Sequence, residues 1–269
     1  AIELVLAPDT IGDAELAPRL HELQARRLDL DAGPLGRCLV QPMADGSTTV
    51  FLVLHHICMD AASVDLLWSD LDAAYSGRPL ASQDIDYGDH AAWQAAGVDD
   101  DDRDFWLELV GPDPLAPLAT VASQLPEHDG YLRRAASFSA AELRTGAGPT
   151  PFATSIGSLS TLLSRYVDGS RVGFGITAST RDQPATDRLV GNYLNTLPVV
   201  FDPGDASTPA DVGDAAGRLL GQCLRHRAYP FASMTRDRRE LGWAPLDLQV
   251  LLAYEEFAEH RLGGQRVGA

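Results

Sequence analysis

Lysine is absent from the sequence, and all 21 basic residues are arginines. Acidic residues number 38, so the formal net charge is −17 at neutral pH. Recognition of nucleic-acid phosphates depends on clustered positive side chains, which an acidic chain of this kind does not offer. The composition therefore argues against a nucleic-acid partner, and the missing lysine is typical of the codon bias of a GC-rich genome.

Cysteines are few, and long apolar runs are lacking. Cys38, Cys58 and Cys223 are widely spaced, which fits neither a disulfide framework nor a metal-binding cysteine cluster. No apolar run has the length of a membrane span, and the first residues lack the basic flank and apolar core of a secretion signal. These absences predict a cytoplasmic bacterial protein with no bound metal and no membrane partner.

Residues 1–111 combine helical and strand patterns. Apolar residues at every third or fourth position predict helices, and β-branched runs on either side of a turn predict a hairpin. The predicted elements are a helix over 17–27 with Pro18 in its first turn, hairpin strands over 37–43 and 48–55, and a helix capped by Asp60. Two further short helices complete a predicted N-terminal lobe.

A proline-rich stretch separates this lobe from the second half of the chain. Residues 112–130 hold four prolines and no periodicity, and they predict a linker. Residues 131–269 alternate strands and helices, which predicts a C-terminal lobe and an α/β fold class. The predicted strands of this lobe cover 131–139, 170–180, 192–202 and 246–256, and its two long helices start at Pro151 and, after the cap Thr208, at Pro209.

The stretch FLVLHHICMDAAS, residues 51–63, ends an apolar run in two adjacent histidines. A strand that ends in a histidine can present an imidazole to a cleft. His55 and His56 are expected to face opposite sides of the strand, so that only one of them reaches a given cleft. Alone, the pair fits a catalytic base, a metal site or the plain end of a buried strand. The metal site is the weakest of the three, because no second ligand cluster lies at a suitable spacing.

Five segments, in a fixed order, resemble the condensation domains of nonribosomal peptide synthetases. HHICMDA resembles the family's HHxxxDG signature. The other four are DYGDHAAWQ (86–94), similar to a tyrosine and tryptophan segment; VGNYLNTLPVVF (190–201), similar to a glycine–asparagine–threonine segment; HRAYPFASM (226–234), similar to an HQDxPFE-like segment; and RRELGWAPLDLQVLLAYEE (238–256), similar to the stretch that follows it.

This resemblance, which runs from Pro18 to Glu256, implies a fold and an activity. The implied fold is a pair of chloramphenicol acetyltransferase-like lobes that form a V with a central cleft or tunnel. The implied reaction joins a donor acyl thioester to an acceptor amine, as in the biosynthesis of peptide antibiotics and other secondary metabolites. The implied partners are donor and acceptor peptidyl carrier proteins, which present both substrates on 4'-phosphopantetheine arms, and neighbouring synthetase domains. No cofactor bound by the domain itself is implied.

The resemblance also assigns roles to residues of the histidine motif. It implies that His56 is catalytic, either as a general base for the acceptor amine or by stabilising the tetrahedral intermediate. His55 is expected to support it. Asp60 is expected to form an ion pair with Arg181 of the other lobe and thereby to hold the turn that carries His56.

Ala61 and Asn195 are expected to line the substrate tunnel. Ala61 replaces the motif glycine, where a methyl group would crowd the wall or disfavour a positive φ, and we expect the change to be tolerated. Asn195 fits equally a role in binding nearby backbone. Compared with the family, we expect the first lobe to lack its opening segment before residue 1. The second lobe is expected to lack its closing strands and the crossover between the lobes, which would follow residue 269.

Two other functions remain open at this stage. A related HHxxxD O-acyltransferase would use the same histidine to esterify an alcohol. A non-catalytic, condensation-like domain would recruit a partner protein instead. The intact His56 and Asp60 favour an enzyme, whereas Ala61 and the missing ends favour a recruitment domain.

Overall fold

The computed structural model of the chain describes residues 2–97, 99–115, 133–137, 149–166, 172–181, 183–202, 208–255 and 258–267. The chain divides into two compact units. The first unit comprises Ala1–Tyr87, Gln183–Tyr193 and Phe257–Ala269. The second comprises Gly88–Asp182 and Leu194–Glu256.

A three-stranded sheet forms the centre of the first unit. Strands β1 (Ile2–Leu6), β2 (Gly36–Pro42) and β3 (Thr48–Leu54) lie in that order, with β1 parallel to β2 and β2 antiparallel to β3. The predicted hairpin is therefore confirmed, with bounds within one residue of the prediction. Leu39 faces Phe51 across the hairpin, and both pack in a small apolar core.

Helix α1 (Asp13–Ala25) connects β1 to β2 and starts earlier than the sequence pattern indicates. Gly12 is its N-cap, and the Gly12 backbone N–H donates to the Glu15 carboxylate at 3.0 Å. This bond to the Glu15 side chain is one half of a capping box, and it stabilises a start four residues before the predicted one. Pro18 consequently lies inside the helix rather than in its first turn, which corrects the prediction.

The first unit also contains helix α2 (Ala61–Tyr75), 3₁₀ turns at His56–Cys58 and Pro184–Thr186, and a hairpin near the end of the chain. Strands β7 (Arg261–Leu262) and β8 (Gln265–Arg266) pair around two glycines with positive φ. The Gly263 N–H donates to the Asp72 carboxylate of α2 at 2.9 Å. The hairpin therefore belongs to the first unit, whereas residues 131–269 were predicted to form a single C-terminal lobe.

The second unit is built on strands β4 (Val172–Ser179) and β5 (Leu194–Phe201), which pair antiparallel. The short strand β6 (Leu251–Leu252) lies parallel to β4 on its other side. The predicted strand over 246–256 is thus reduced to two paired residues. The Val250 carbonyl also accepts from the Gly175 N–H at 2.9 Å, and Leu246 and Val250 pack against the core.

Five helices accompany these strands, namely α3 (Tyr87–Ala96), α4 (Asp100–Val110), α5 (Pro151–Leu163), α6 (Pro209–Arg225) and α7 (Phe231–Glu240). The two predicted proline starts are confirmed. Thr150 caps α5 by accepting from the Ala153 N–H at 3.2 Å, and Thr208 caps α6 in a reciprocal pair with Asp211. Proline suits the first helical position because its missing N–H would have no partner there.

The observed units differ from the predicted lobes at α4 and at residues 183–193. Trp106 and Val110 of α4 are fully buried in the core of the second unit, although the pattern placed this helix in a lobe of residues 1–111. Of the predicted linker, only residues 112–115 are described, and Leu115 packs against Gly173 of the second unit. Of the predicted strand over 131–139, residues 133–137 are described and form no strand.

Candidate active site

The two histidines follow directly on the last residue of β3. The His55 N–H donates to the Leu35 carbonyl at 2.9 Å, which continues the edge of the sheet one residue beyond Leu54. His56 already belongs to the 3₁₀ turn. The expectation that both rings alternate across a strand is therefore wrong, because only a strand imposes that alternation.

His55 supports the turn through its ring. Its Nδ1 accepts a hydrogen bond from the Ile57 N–H at 3.0 Å, so a neutral His55 carries its proton on Nε2. The His55 carbonyl also accepts from the Cys58 N–H at 3.1 Å and from the Cys58 thiol at 2.9 Å. These contacts give the first histidine a role in shaping the loop that presents the second.

His56 is exposed, and neither of its ring nitrogens has a hydrogen-bond partner among the described residues. An imidazole with available ring nitrogens can accept a proton or donate a hydrogen bond. The described residues contain no group of three or more His, Cys, Asp or Glu side chains arranged to hold a metal ion. What the turn offers is a single imidazole suited to acid–base chemistry.

Asp60 is the N-cap of α2, as predicted, and it is only 4% exposed. Its Oδ1 accepts from the Ser63 N–H at 2.8 Å and from the Ser63 hydroxyl at 2.7 Å. Its Oδ2 accepts from the Tyr193 N–H at 3.3 Å. A buried carboxylate held by several donors fixes the start of the helix and the end of the histidine turn together.

Ser63 and the segment 191–193 were not identified from the sequence as parts of this site. The Ser63 hydroxyl is fully buried, accepts from the Gly191 N–H at 3.0 Å and lies 2.8 Å from the Gly191 carbonyl oxygen. Two of the five motif segments are therefore joined by direct hydrogen bonds. An Asp followed three residues later by Ser at a helix start is a local capping signal that indicates part of this arrangement.

Tyr87, from the tyrosine and tryptophan segment, packs on the same structure. Its hydroxyl donates to the Asn192 carbonyl at 2.8 Å, and its ring meets Tyr193 edge-on with centroids 5.3 Å apart. Burial and the nearby charge of Asp60 raise the pKa of the Tyr87 phenol, so it stays a neutral donor. Through Tyr87 the third motif segment thus contacts the segment 190–201.

Gly191 lies against the Tyr87 ring so closely that a side chain has no room. A Cβ atom at this position would lie 2.0 Å from Cδ2 of Tyr87. We expect Gly191→Ala to lower the free energy of unfolding by about 1–3 kcal/mol, because ring and backbone must move apart. Urea denaturation measures the change. In the control Gly12→Ala the new methyl meets no atom within 4 Å, and an equal loss in both variants would contradict the packing account.

Asn195 binds backbone in the second unit. Its Nδ2 donates to the carbonyls of Arg227 at 2.9 Å and Tyr229 at 2.7 Å, and its Oδ1 accepts from the Phe231 N–H at 3.0 Å. Of the two roles open to it, backbone binding is the one the geometry shows, and it joins the segments 190–201 and 226–234. Its place at a substrate tunnel stays a prediction.

Tyr229 anchors the segment 226–234 in the core. It is 1% exposed, and its hydroxyl donates to Asp237. Burial alone would raise the pKa of Asp237, but hydrogen bonds from Tyr229, Arg103 and Arg236 lower it below its ordinary value. Burial and the bond to Asp237 raise the pKa of the Tyr229 phenol. Asp237 is therefore an ionised structural acceptor.

Three further predicted residues have different outcomes. Ala61 is the first residue of α2, and no described non-glycine residue has a positive φ, so its backbone does not require the motif glycine. Arg181 belongs to the second unit, and its ion pair with Asp60 stays a prediction. Trp93, from the tyrosine and tryptophan segment, is 52% exposed and therefore lies outside the core.

Comparison with known proteins identifies the family of the chain. The family model of the condensation domain matches residues 10–258. The chain therefore belongs to the condensation domain family, as its five motif segments predict. Across the described part of the chain, no helix has the length and apolarity needed to cross a membrane.

Two similar proteins are large synthetases. The hybrid PKS-NRPS synthetase poxE of Penicillium oxalicum is 31% identical over 278 residues, which cover 95% of this chain and 7% of poxE. The phosphinothricin tripeptide synthetase PhsC of Streptomyces viridochromogenes is 30% identical over 277 residues, covering 94% of this chain and 25% of PhsC. The relatives are thus fungal as well as bacterial, and the bacterial source predicted from composition stays a prediction.

A solved structure confirms the fold. A mutant of the starter condensation domain of rhizomide synthetase RzmA superposes with a TM-score of 0.74 at 18% identity, over 99% of this chain and 64% of that chain. The mixed α/β architecture predicted from the sequence is therefore the fold of condensation domains. The chain spans under two thirds of that domain's chain.

Proposed function

We propose that this chain is a condensation domain that forms amide bonds in a nonribosomal or hybrid peptide synthetase. The observation that carries the proposal is the exposed imidazole of His56, whose ring nitrogens bond to no residue in the described part of the chain, on a turn followed closely by the buried, hydrogen-bonded Asp60. A base or hydrogen-bond donor must be accessible to act, and it must be held in place to act at a useful rate.

The reaction makes one bond and breaks one. The nitrogen of the acceptor amine attacks the acyl carbon of the donor thioester, a C–N bond forms, and the C–S bond to the donor arm breaks. The proton that the amine loses ends on the departing sulfur. His56 either carries this proton as a general base or donates a hydrogen bond that stabilises the tetrahedral intermediate.

The proposed substrates reach the domain on carrier proteins. Both acyl groups would be thioesters of 4'-phosphopantetheine arms, one on a donor and one on an acceptor peptidyl carrier protein, with neighbouring synthetase domains as further partners. Both relatives support this proposal, since each is a synthetase at least several times longer than this chain. The arms are substrates here, and we propose no cofactor held by the chain itself. We keep the cytoplasm as the proposed location.

Donor and acceptor carriers loaded with different amino acids test the proposal. The protein is added, and the intact mass of the acceptor carrier is measured before and after hydroxylamine, which cleaves thioesters and esters but not amides. We expect hydroxylamine to release a dipeptide from the acceptor carrier with its amide bond intact. A hydroxylamine-sensitive product with a hydroxy-acid acceptor would instead identify an O-acyltransferase. Carrier binding without transfer would identify a recruitment domain.

A further inference from the structure

The hydroxyl of Ser63 occupies an unusual position next to the histidine motif. Ser63 is in the first turn of α2 and is fully buried, although its side chain is polar. A buried hydroxyl is normally tied to a specific partner, because leaving it unpaired is unfavourable. Here the partners are two, the Asp60 carboxylate and the backbone of Gly191.

On the side of Asp60, Ser63 provides two donors to one oxygen. Its backbone N–H lies 2.8 Å and its hydroxyl oxygen 2.7 Å from Asp60 Oδ1. The ordinary helix cap needs only the backbone N–H. The hydroxyl is therefore an additional restraint that fixes the rotation of the carboxylate.

The Ser63 hydroxyl also contacts both backbone polar groups of Gly191. It accepts from the Gly191 N–H at 3.0 Å and lies 2.8 Å from the Gly191 carbonyl oxygen. Because a hydroxyl has one proton, Ser63 donates at any moment either to Asp60 or to Gly191. It thus couples two segments that lie 128 residues apart in the sequence.

Asp60 in turn is joined to His56 by a very short stretch of chain. The Met59 N–H donates to the His56 carbonyl at 3.4 Å, which closes the 3₁₀ turn immediately before Asp60. A carboxylate that rotates would shift this turn, and with it the imidazole. We propose that Ser63 is a positioning residue, which fixes the Asp60 carboxylate and thereby the location of His56. The proposal rests on the proposed role of His56 in amide formation.

Ser63→Ala removes a fully buried hydroxyl and so leaves the exposed surface of the protein unchanged. We expect the single-turnover rate of amide formation to fall by about 10²-fold, the loss typical of a small misplacement of a catalytic group. KM for the loaded acceptor carrier should stay within about twofold, because binding is not altered. Ser69→Ala is the matched control, since Ser69 is exposed on the same helix, and it should keep the wild-type rate.

A second variant and a second background separate positioning from folding. Ser63→Cys fills the same space with a weak hydrogen-bonding group, and we expect a folded protein with a rate near that of Ser63→Ala. In a His56→Ala background, Ser63→Ala should cause no further loss, because residues that act as a unit are not additive. A Cys variant at the wild-type rate, or the same fold-loss in both backgrounds, would overturn the proposal.

Hydrogen exchange tests the positioning without any turnover. In Ser63→Ala the amides of Cys58, Met59 and Tyr193 should exchange at least tenfold faster, whereas amides of β5 should not change. Unchanged exchange at Cys58 and Met59 would overturn the inference even if activity fell. If the wild-type protein forms no amide, the proposed function fails, and this measurement alone still decides whether Ser63 holds the turn.

Discussion

Replacement of His56 by alanine should lower the single-turnover rate of amide formation by about 10²–10⁴-fold, the usual contribution of a positioned acid or base. The expectation follows from the geometry of the turn, which presents this one imidazole with both nitrogens unused by the described residues. Rapid quench of loaded carriers mixed with excess protein, followed by mass spectrometry, measures the rate.

A matched control tests whether the loss of rate is specific to His56. His21 is exposed on α1, far from the motif in sequence and outside the site described above. His21→Ala should retain the wild-type rate, and both variants should retain the wild-type unfolding midpoint. Amide formation that survives His56→Ala unchanged would rule out both roles, the base and the stabiliser of the intermediate.

Replacement of Asp60 by alanine should have the largest effect on stability. The carboxylate is 4% exposed and accepts from the Ser63 N–H, the Ser63 hydroxyl and the Tyr193 N–H. Its removal takes away a helix cap and leaves buried donors without an acceptor, so we expect a loss of about 2–5 kcal/mol in the free energy of unfolding. Urea denaturation measures this loss, and the rate of amide formation should fall with it.

Two comparisons separate the cap from the buried network. Asp99 is an exposed N-cap that accepts from the Asp101 N–H at 2.9 Å, so Asp99→Ala should cost only about 0.5–2 kcal/mol. Asp60→Asn keeps a capping oxygen but brings an amide N–H₂ into a site of donors, and it should fall between wild type and Asp60→Ala. Equal losses in the Asp60→Ala and Asp99→Ala variants would mean that the buried network adds nothing to the cap.

The sequence was sufficient to predict features that depend on nearby residues. The hairpin of β2 and β3, the caps Asp60 and Thr208, and the proline starts of α5 and α6 are encoded within a few positions. The order of the five motif segments was sufficient to predict the family. The early start of α1 was missed, because a glycine N-cap is a weak signal and Pro18 suggested a later first turn.

Features that depend on distant residues could not be predicted from local patterns. The bonds of Ser63 to Gly191 join positions 128 apart, and no periodicity marks such a pair. The same holds for α4, whose Trp106 belongs to the core of the second unit although it precedes the proline-rich stretch. Ser63 and Gly191 were therefore found only from the structure, whereas His56 and the bracing Asp60 were predicted from the motif.

Transfer between carriers tests the central claim most directly. A donor carrier with one aminoacyl thioester and an acceptor carrier with another are mixed with the protein, and the acceptor carrier is weighed intact during a single turnover. We predict that the acceptor gains the mass of the donor acyl group, that the released dipeptide resists hydroxylamine, and that His56→Ala nearly abolishes the gain. An acceptor carrier whose mass never changes, with both carriers loaded and the protein folded, would contradict the account.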